Sequence, residues 1–295
     1  MRIADYTIHR LQLPLPQPIG DSQVRFDEHW LTVLELKTDD GLTGVGLELQ
    51  QGLPTAAHAQ LRQQYEHQMW PAIRDAHPGS HCLRVVRPRG GNVGASVLPL
   101  ATETAVWDLL AQSLNMPLYQ LLGGENAQVP AYGSTLDFHL DDDAFRAKLT
   151  TFCEMGFRAV KIKVGHPDIG WDLKRMGIAV DVMGPDADLI VDANEAWSPK
   201  ETLLRLDIYR QAGFELFWIE DPVTREDYPG YARLAAELPS VRVNTGEYLG
   251  FSGKRRLLET GGVDVLNVHG AIGMSRAAAQ LAGDYGIPVS LGNTI

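Results

Sequence analysis

Five side chains in the second half of the chain have the types and spacing to act together. Lys161 and Lys163 stand two apart in Val160-Lys161-Ile162-Lys163-Val164. Side chains alternate along a strand, so both ammonium groups would point to one side and Ile162 to the other. Two adjacent ammonium groups repel, which tends to lower a lysine pKa and make a neutral amine base accessible. Asp192, Glu220 and Glu247 close the short apolar runs Ile190-Val191-Asp192, Trp218-Ile219-Glu220 and Val243-Asn244-Thr245-Gly246-Glu247. On neighbouring strands, about 4.8 Å apart, three such carboxylates converge on one point. A hard, oxygen-seeking cation such as Mg²⁺ relieves their repulsion. Each residue alone has a plainer reading. A strand-end acid is commonly a helix N-cap, Asp221-Pro222 could start the next helix, and a lone lysine is usually a solvated charge. Only their joint occurrence at successive strand ends points to chemistry.

The elements that must position them follow from the rhythm of the sequence. From about residue 128, short apolar runs alternate with amphipathic stretches. Val129-Tyr132, Ala159-Val164, Leu189-Asp192, Phe217-Glu220, Val241-Thr245, Val265-Val268 and Val289-Leu291 read as strands. Asp143 to Met155, Pro199 to Ala212 and Ser275 to Tyr285 read as helices between them. Repeated βα units imply parallel strands with right-handed crossovers, and seven in a row favour a closed barrel over a doubly wound sheet. The expected fold class is α/β, a (β/α)8-type, modified TIM barrel over residues 126–295. Its eighth strand would lie beyond Ile295. In such a barrel, reacting groups sit at the C-terminal strand ends.

Residues 1–125 read as an α+β domain. Ile3 to Leu13 and His29 to Leu36 are β-rich, and Asp39-Asp40-Gly41 marks a hairpin before Gly44-Val45-Gly46-Leu47-Glu48. Ala56 to Trp70 and Leu100 to Leu122 have helical character, and Pro117 opens a short helix ending at Gly123-Gly124. Gly90-Gly91-Asn92-Val93-Gly94 precedes the first barrel strand and reads as a loop, not a phosphate cradle.

Composition bounds the partners. The formal net charge of −11 argues against a nucleic-acid partner. It leaves open an anionic small molecule, because a bound divalent cation reverses the local potential. No apolar run reaches membrane-spanning length, and the first residues carry no apolar signal segment. Cys82 and Cys153 lack metal or redox spacing, and Cys153 reads as a buried helical thiol. A cytoplasmic location is expected.

With these motifs in place, the chain resembles the enolase superfamily, in its mandelate racemase/muconate lactonizing enzyme branch. The resemblance rests on Lys161-x-Lys163, Asp192-Ala193-Asn194, Ile219-Glu220-Asp221-Pro222, Gly246-Glu247, Trp107-Asp108-Leu109-Leu110 and Pro117 to Gly124. It implies that residues 1–125 are a capping, substrate-specificity domain over the barrel, to which the chain would return after the eighth strand, and that one essential Mg²⁺ is held by Asp192, Glu220 and Glu247. It also implies removal of the α-proton of a small carboxylate substrate to give a metal-stabilised enediolate, chemistry of which this superfamily is a standard example. Lys163 would be the base on one face. Lys161 would hold a carboxylate oxygen and help lower the pKa of Lys163. Lactonizing and epimerising relatives end the sixth strand in lysine, and racemase-like relatives place a histidine on the seventh. Here the sixth ends Val268-His269-Gly270 and the seventh reads Val289-Ser290-Leu291-Gly292-Asn293-Thr294. His269 is therefore the expected second acid/base. His29, His139 and His166 read as loop or surface residues.

Asn194, Gln17 and Asp21 are the expected substrate contacts, the last two within Gln17 to Ser22, with Gln50 to Leu53 as a second capping loop. The expected outcome is racemisation or epimerisation. Dehydration of a hydroxylated or sugar acid is the alternative, followed by cycloisomerisation or a non-catalytic metal-binding barrel. A homo-oligomer is expected from the resemblance.

Overall fold

The structure is a computed structural model that describes residues 1–52, 57–82 and 98–292. The first three strands, β1 (Ile3–Gly20), β2 (Arg25–Thr38) and β3 (Thr43–Gln51), pair antiparallel in that order. The β1 strand runs on past Pro14 and Pro16, farther than the sequence suggests. It is an edge strand, where a missing N–H is tolerated, and its register shifts between Pro14 and Ile19. The Asp39-Asp40-Gly41 turn joins β2 to β3 as expected, with Gly41 at φ 94°. Helices α1 (His58–Gln68), α2 (Trp70–Ile73), α3 (Gly79–Cys82), α4 (Pro99–Ser113) and α5 (Leu118–Leu121) follow.

Helix α4 lies directly on the sheet backbone. A Cβ on Gly46 would stand 1.8 Å from the Ala101 carbonyl oxygen, so only glycine permits this approach. Leu34, Leu36, Tyr65, Ala101, Ala105 and Leu109 form the core between the layers. Pro117 precedes α5, and Gly123 ends it with φ 88°.

The second half is a seven-stranded parallel sheet in chain order: β4 (Gly133–Ser134), β5 (Ala159–Lys163), β6 (Asp188–Asp192), β7 (Trp218–Glu220), β8 (Arg242–Thr245), β9 (Val265–Val268) and β10 (Val289–Leu291). It curls as a partial barrel. The intervening helices are α6 (Asp142–Glu154), α7 (Ile169–Met183), α8 (Pro199–Gln211), α9 (Tyr228–Glu237), α10 (Phe251–Glu259) and α11 (Ile272–Asp284). Alternation sends Ile162, Val191, Ile219, Val243 and Leu266 outward to pack with Phe145, Leu149, Met176, Tyr209 and Leu257 of those helices. Asp141, Asp168, Ser198 and Asp227 cap helix N-termini through their side chains.

Three expectations need correction here. The first barrel strand is Gly133–Ser134, not Val129-Tyr132, and Val129 is exposed. Cys153 is exposed rather than buried, because α6 turns its apolar stripe of Phe145 and Leu149 inward and leaves Cys153 outside it. Asp221 starts no helix: Asp227 caps α9, and Asp221 is buried at 2% exposure. Leu53, Asn293, Thr294 and the Gly90 to Gly94 segment lie outside the described residues. Among the described residues, no helix is long and apolar enough to cross a membrane.

Candidate active site

The strand register draws the sequence motifs into one row. Lys163 of β5 aligns with Asp192 of β6, Asp192 with Glu220 of β7, and Glu220 with Asn244 of β8. All four are buried. The Lys163 Nζ donates to Asp192 Oδ2 at 2.6 Å. The Lys161 Nζ stands 3.2 Å from the same oxygen and 2.5 Å from Glu220 Oε1. Lys161 and Lys163 thus share one face of β5, as alternation requires, and Asp192 bridges them.

The acids fall into two adjoining groups that share Glu220. One is Asp192 with Glu220, joined through Lys161. The other is Glu220, Asp221 and Glu247, each offering an oxygen within 4.8 Å of the others. Asp221 enters this group although its sequence context suggests no metal role. It adopts φ 37°, accepts from Thr245 Oγ1 at 2.5 Å through Oδ1, and leaves Oδ2 buried without a hydrogen bond among the described residues.

Burial and the neighbouring Asp192 and Glu220 carboxylates hold the Asp221 carboxyl well above the ordinary range. Burial also raises Glu220, against the pull of Lys161. Burial opposes ionisation of Asp192, but Lys163 and Lys161 outweigh it and keep that carboxyl below its usual value. For Lys161, burial works downward, yet Glu220 and Asp192 lift it well above the ordinary lysine value. For Lys161 the two carboxylates, 3.2 and 2.5 Å from its ammonium, outweigh burial.

The donor set fits a hard divalent cation. Its ligand atoms are carboxylate oxygens, they converge, and Asp221 Oδ2 is a buried acceptor with no partner among the described residues. The Lys161 ammonium already serves as the positive charge between Asp192 and Glu220.

Other groups fix this constellation. Asn267 Nδ2 and Trp218 Nε1 donate to Glu220 at 3.1 and 3.3 Å. Asp137, fully buried in the loop after β4, accepts from the Lys163 backbone N–H at 3.3 Å, and Arg175 donates to its carbonyl at 2.7 Å. Lys254 of α10 is buried under the Glu247 loop and donates to the carbonyls of Gly246 and of Leu249, the latter at 2.8 Å. Strand alternation could have flagged Trp218 and Asn267, which sit at even spacing from Glu220 and His269. Nothing in the sequence distinguishes Asp137 or Lys254 from surface charges.

The remaining candidates are placed as follows. His269 follows β9, half-buried, with Nδ1 lacking a hydrogen bond among the described residues. A Cβ on Gly292 would stand 2.8 Å from that nitrogen, so the glycine after β10 makes room for the imidazole. Asn194 is buried with φ 48°. Its N–H donates to Asp192 Oδ1 at 3.0 Å, and its Oδ1 is buried and unpartnered among the described residues.

Asp21 is buried, and its carboxylate accepts from the backbone N–H groups of Gln23 and Val24 at 2.7 and 3.0 Å, closing its own turn. That turn docks on the barrel. Gly20 N–H donates to the Leu136 carbonyl at 2.9 Å, Gln23 donates to the Asn194 carbonyl, and Ser22 Oγ lies 3.4 Å from the Ala193 carbonyl. Gln17 is exposed on β1, and Gln50 pairs with Arg10 at 3.4 Å. His29 is not a surface residue: it lies on β2 at 6% exposure, and burial lowers its pKa. His139 bonds the Val24 carbonyl at 3.1 Å, and His166 stacks on Trp171.

This is the architecture of a partial β/α barrel preceded by an antiparallel sheet with packed helices. Residues 5–123 match the N-terminal domain of the mandelate racemase / muconate lactonizing enzyme family, and residues 144–295 match the enolase C-terminal domain-like family. The chain belongs to the mandelate racemase/muconate lactonizing enzyme family of the enolase superfamily.

A structure from Mesorhizobium loti, provisionally named a mandelate racemase, is 38% identical and superposes with a TM-score of 0.94, covering 100% of this chain and 78% of that one. The L-talarate dehydratase of Polaromonas sp. JS666, solved with Mg and L-glucarate, is 25% identical with a TM-score of 0.80, over 99% of this chain and 82% of that one. An L-Ala-D/L-Glu epimerase of Clostridium acetobutylicum is 26% identical over 99% of this chain and 82% of its own length. The chain spans only 61% and 63% of the length of two curated relatives, a dehydratase and a cycloisomerase.

Proposed function

We propose that this protein removes the α-proton of a small carboxylate substrate with the help of one Mg²⁺ ion, leading to racemisation or epimerisation. The single observation that supports this most is the buried row Lys161/Lys163, Asp192, Glu220 at the C-terminal ends of successive parallel strands. A binding module has no need of paired lysines facing clustered acids.

In this reading Asp192, Glu220 and Glu247 hold the ion, and Asp221, which offers an oxygen within 4.8 Å of Glu220 and Glu247, supports them. When bound, the ion neutralises the substrate carboxylate and stabilises the second negative charge that develops as the α-proton leaves. Lys161 donates to a substrate carboxylate oxygen. Lys163, in its amine form, takes the proton at Nζ. Asn194, with its free Oδ1, and the Asp21 turn, with Gln17 beyond it, orient the remainder of the substrate. His269 on the far side, beside Gly292, returns a proton to the opposite face.

A second reading is dehydration of a hydroxylated or sugar acid, in which His269 protonates the departing β-hydroxyl. It is favoured by the imidazole at a strand end where epimerising relatives have lysine, and by the likeness to L-talarate dehydratase. The proposal includes a cytoplasmic setting, supported by two cysteines without disulfide or metal spacing. It also includes a homo-oligomer, supported by apolar residues exposed on the outer sheet face, among them Leu11, Leu13 and Val45.

The test is incubation of candidate hydroxy acids and dipeptides with Mg²⁺ in D₂O. Deuterium entering at the α-carbon without loss of water supports epimerisation, and a 2-keto acid supports dehydration. Absence of exchange and of keto acid across a broad acid library, with metal bound, would end both readings.

A further inference from the structure

Just above the acids, three loops are tied to one another by side chains that the reaction does not use. Glu195 comes three residues after Asp192, Arg225 five after Glu220, and Tyr248 one after Glu247. Arg225 grips Glu195 with both ends of its fork, Nε to Oε1 at 2.6 Å and Nη2 to Oε2 at 2.9 Å, and its backbone N–H adds a third bond to Oε1 at 2.9 Å. Its guanidinium lies over the Tyr248 ring, 4.5 Å from the centroid. One chain of contacts therefore crosses the loops that follow β6, β7 and β8.

The backbone beneath it is strained. Asn194, Glu195 and Asp221 adopt φ of 48°, 62° and 37°, the left-handed region that side chains other than glycine avoid. The Glu195 N–H meets the Asp221 carbonyl at 2.6 Å, so the two strained turns lean on one another. Repulsion among the acids pushes the same loops apart. A planar, bidentate, stacked arginine resists both, because its geometry fixes distance and orientation together.

We propose that Glu195, Arg225 and Tyr248 form a staple of positioning residues that holds the acid-bearing loops at cation-binding separation before any ion arrives. This rests on the metal reading above. None of the three ligates the ion. Their part is to set the spacing of Asp192, Glu220 and Glu247, so that binding does not have to gather them. A lysine at 225 keeps the charge but cannot make the fork, and a phenylalanine at 248 keeps the stacking surface.

The test is Mn²⁺ titration of the full chain by electron paramagnetic resonance, with thermal unfolding in EDTA measured in parallel. Glu195→Gln and Arg225→Met should each weaken Mn²⁺ binding about tenfold, as expected for loss of a bidentate charged contact. Their unfolding midpoints in EDTA should stay near that of the wild type. The double variant should be no weaker than either single one. Arg225→Lys should fall between, Tyr248→Phe should match the wild type, and Tyr248→Ala should weaken binding.

Unchanged affinity in Arg225→Met, or additive losses in the double variant, would overturn the staple. So would affinity losses matched by a collapse of metal-free stability. Glu247→Gln separates the two readings. If it loses Mn²⁺ while Arg225→Met does not, the staple alone is wrong. If the wild type binds no Mn²⁺, the metal reading fails and the staple falls with it.

Discussion

The two sides of the barrel mouth are built differently. On the side of β5 to β7, every charged group of the lysine–acid row has a partner. Lys163 is fixed to Asp192, Lys161 to Asp192 and Glu220, and Glu220 also accepts from Trp218 and Asn267. On the side of β8 to β10, the acceptors are open. His269 Nδ1, Asn267 Oδ1 and Asn244 Oδ1 are buried without hydrogen bonds among the described residues, and Leu291 of β10 is exposed. The difference teaches that the half proposed to take the proton is preorganised. The half proposed to choose between inversion and water loss is a single imidazole against a glycine.

Replacing the proposed base should break that comparison most sharply. Lys163→Ala should lower α-proton exchange by about 10³-fold, the range for loss of a positioned general base, while metal affinity stays intact. His269→Gln should spare exchange at one face but abolish inversion or water loss. The measurement is α-deuterium uptake by NMR alongside product formation. Equal loss of both processes in the two variants would mean that the sides do not divide the work.

Glu220→Gln comes next, because Glu220 belongs to both acid groups and holds Lys161. Mn²⁺ affinity should drop by roughly a hundredfold, in line with losing a charged ligand and leaving a buried ammonium with one partner fewer. Calorimetric titration checks this. A variant that binds as tightly as the wild type would remove Glu220 from the cluster.

Much of the built side is legible in the sequence, and little of the open side is. Lys161, Lys163, Asp192, Glu220 and Glu247 announce themselves because strand alternation and strand ends are local properties, readable over a few residues. Asp137 does not, since Asp137-Phe138-His139-Leu140-Asp141-Asp142-Asp143 looks like a solvated run of acids. Only packing distinguishes Asp137, fully buried under Lys163, from Asp141, which caps α6. Asp221-Pro222 could equally start a helix by its local sequence; its contacts with Thr245 and Glu247 come from more than 20 residues away. The Glu195–Arg225–Tyr248 contacts and the burial of His29 are likewise long-range. Val129-Tyr132 looks like a strand by composition, but the barrel register begins at Gly133, paired with Val160.

A pH experiment probes how rigid the built side is. Burial raises the Asp137 carboxyl to about 6, against the opposing pull of Arg175 and Lys163. The folded protein therefore binds this proton more tightly than the unfolded chain, whose carboxyl titrates near 3.8. The resulting stabilisation is complete below the unfolded value and is lost as pH rises through 6. Unfolding in urea from pH 3.8 to 6.5 should show wild type losing up to roughly 3 kcal/mol relative to Asp137→Asn, whose neutral amide does not titrate. Parallel curves for the two proteins would show that Asp137 stays ionised at no cost, and that its contacts are stronger than burial.

The smallest effect belongs to the open side and sharpens the contrast from its other end. Asn244 Nδ2 donates to Ser290 Oγ at 3.0 Å, a side-chain link from β8 to β10 across β9. Ser290→Ala removes that acceptor and leaves a buried amide with its oxygen already unpartnered. A neutral hydrogen bond of this kind contributes about 1 kcal/mol. The unfolding free energy should fall by that amount, with metal affinity unchanged. If instead Mn²⁺ binding weakens, the polar line Asn244–Ser290 reaches Glu220 through the barrel interior, and the two sides are one unit. A loss of stability alone keeps them separate, because the row Lys163, Asp192, Glu220 is held from β5, β6 and β7 and needs nothing from β10.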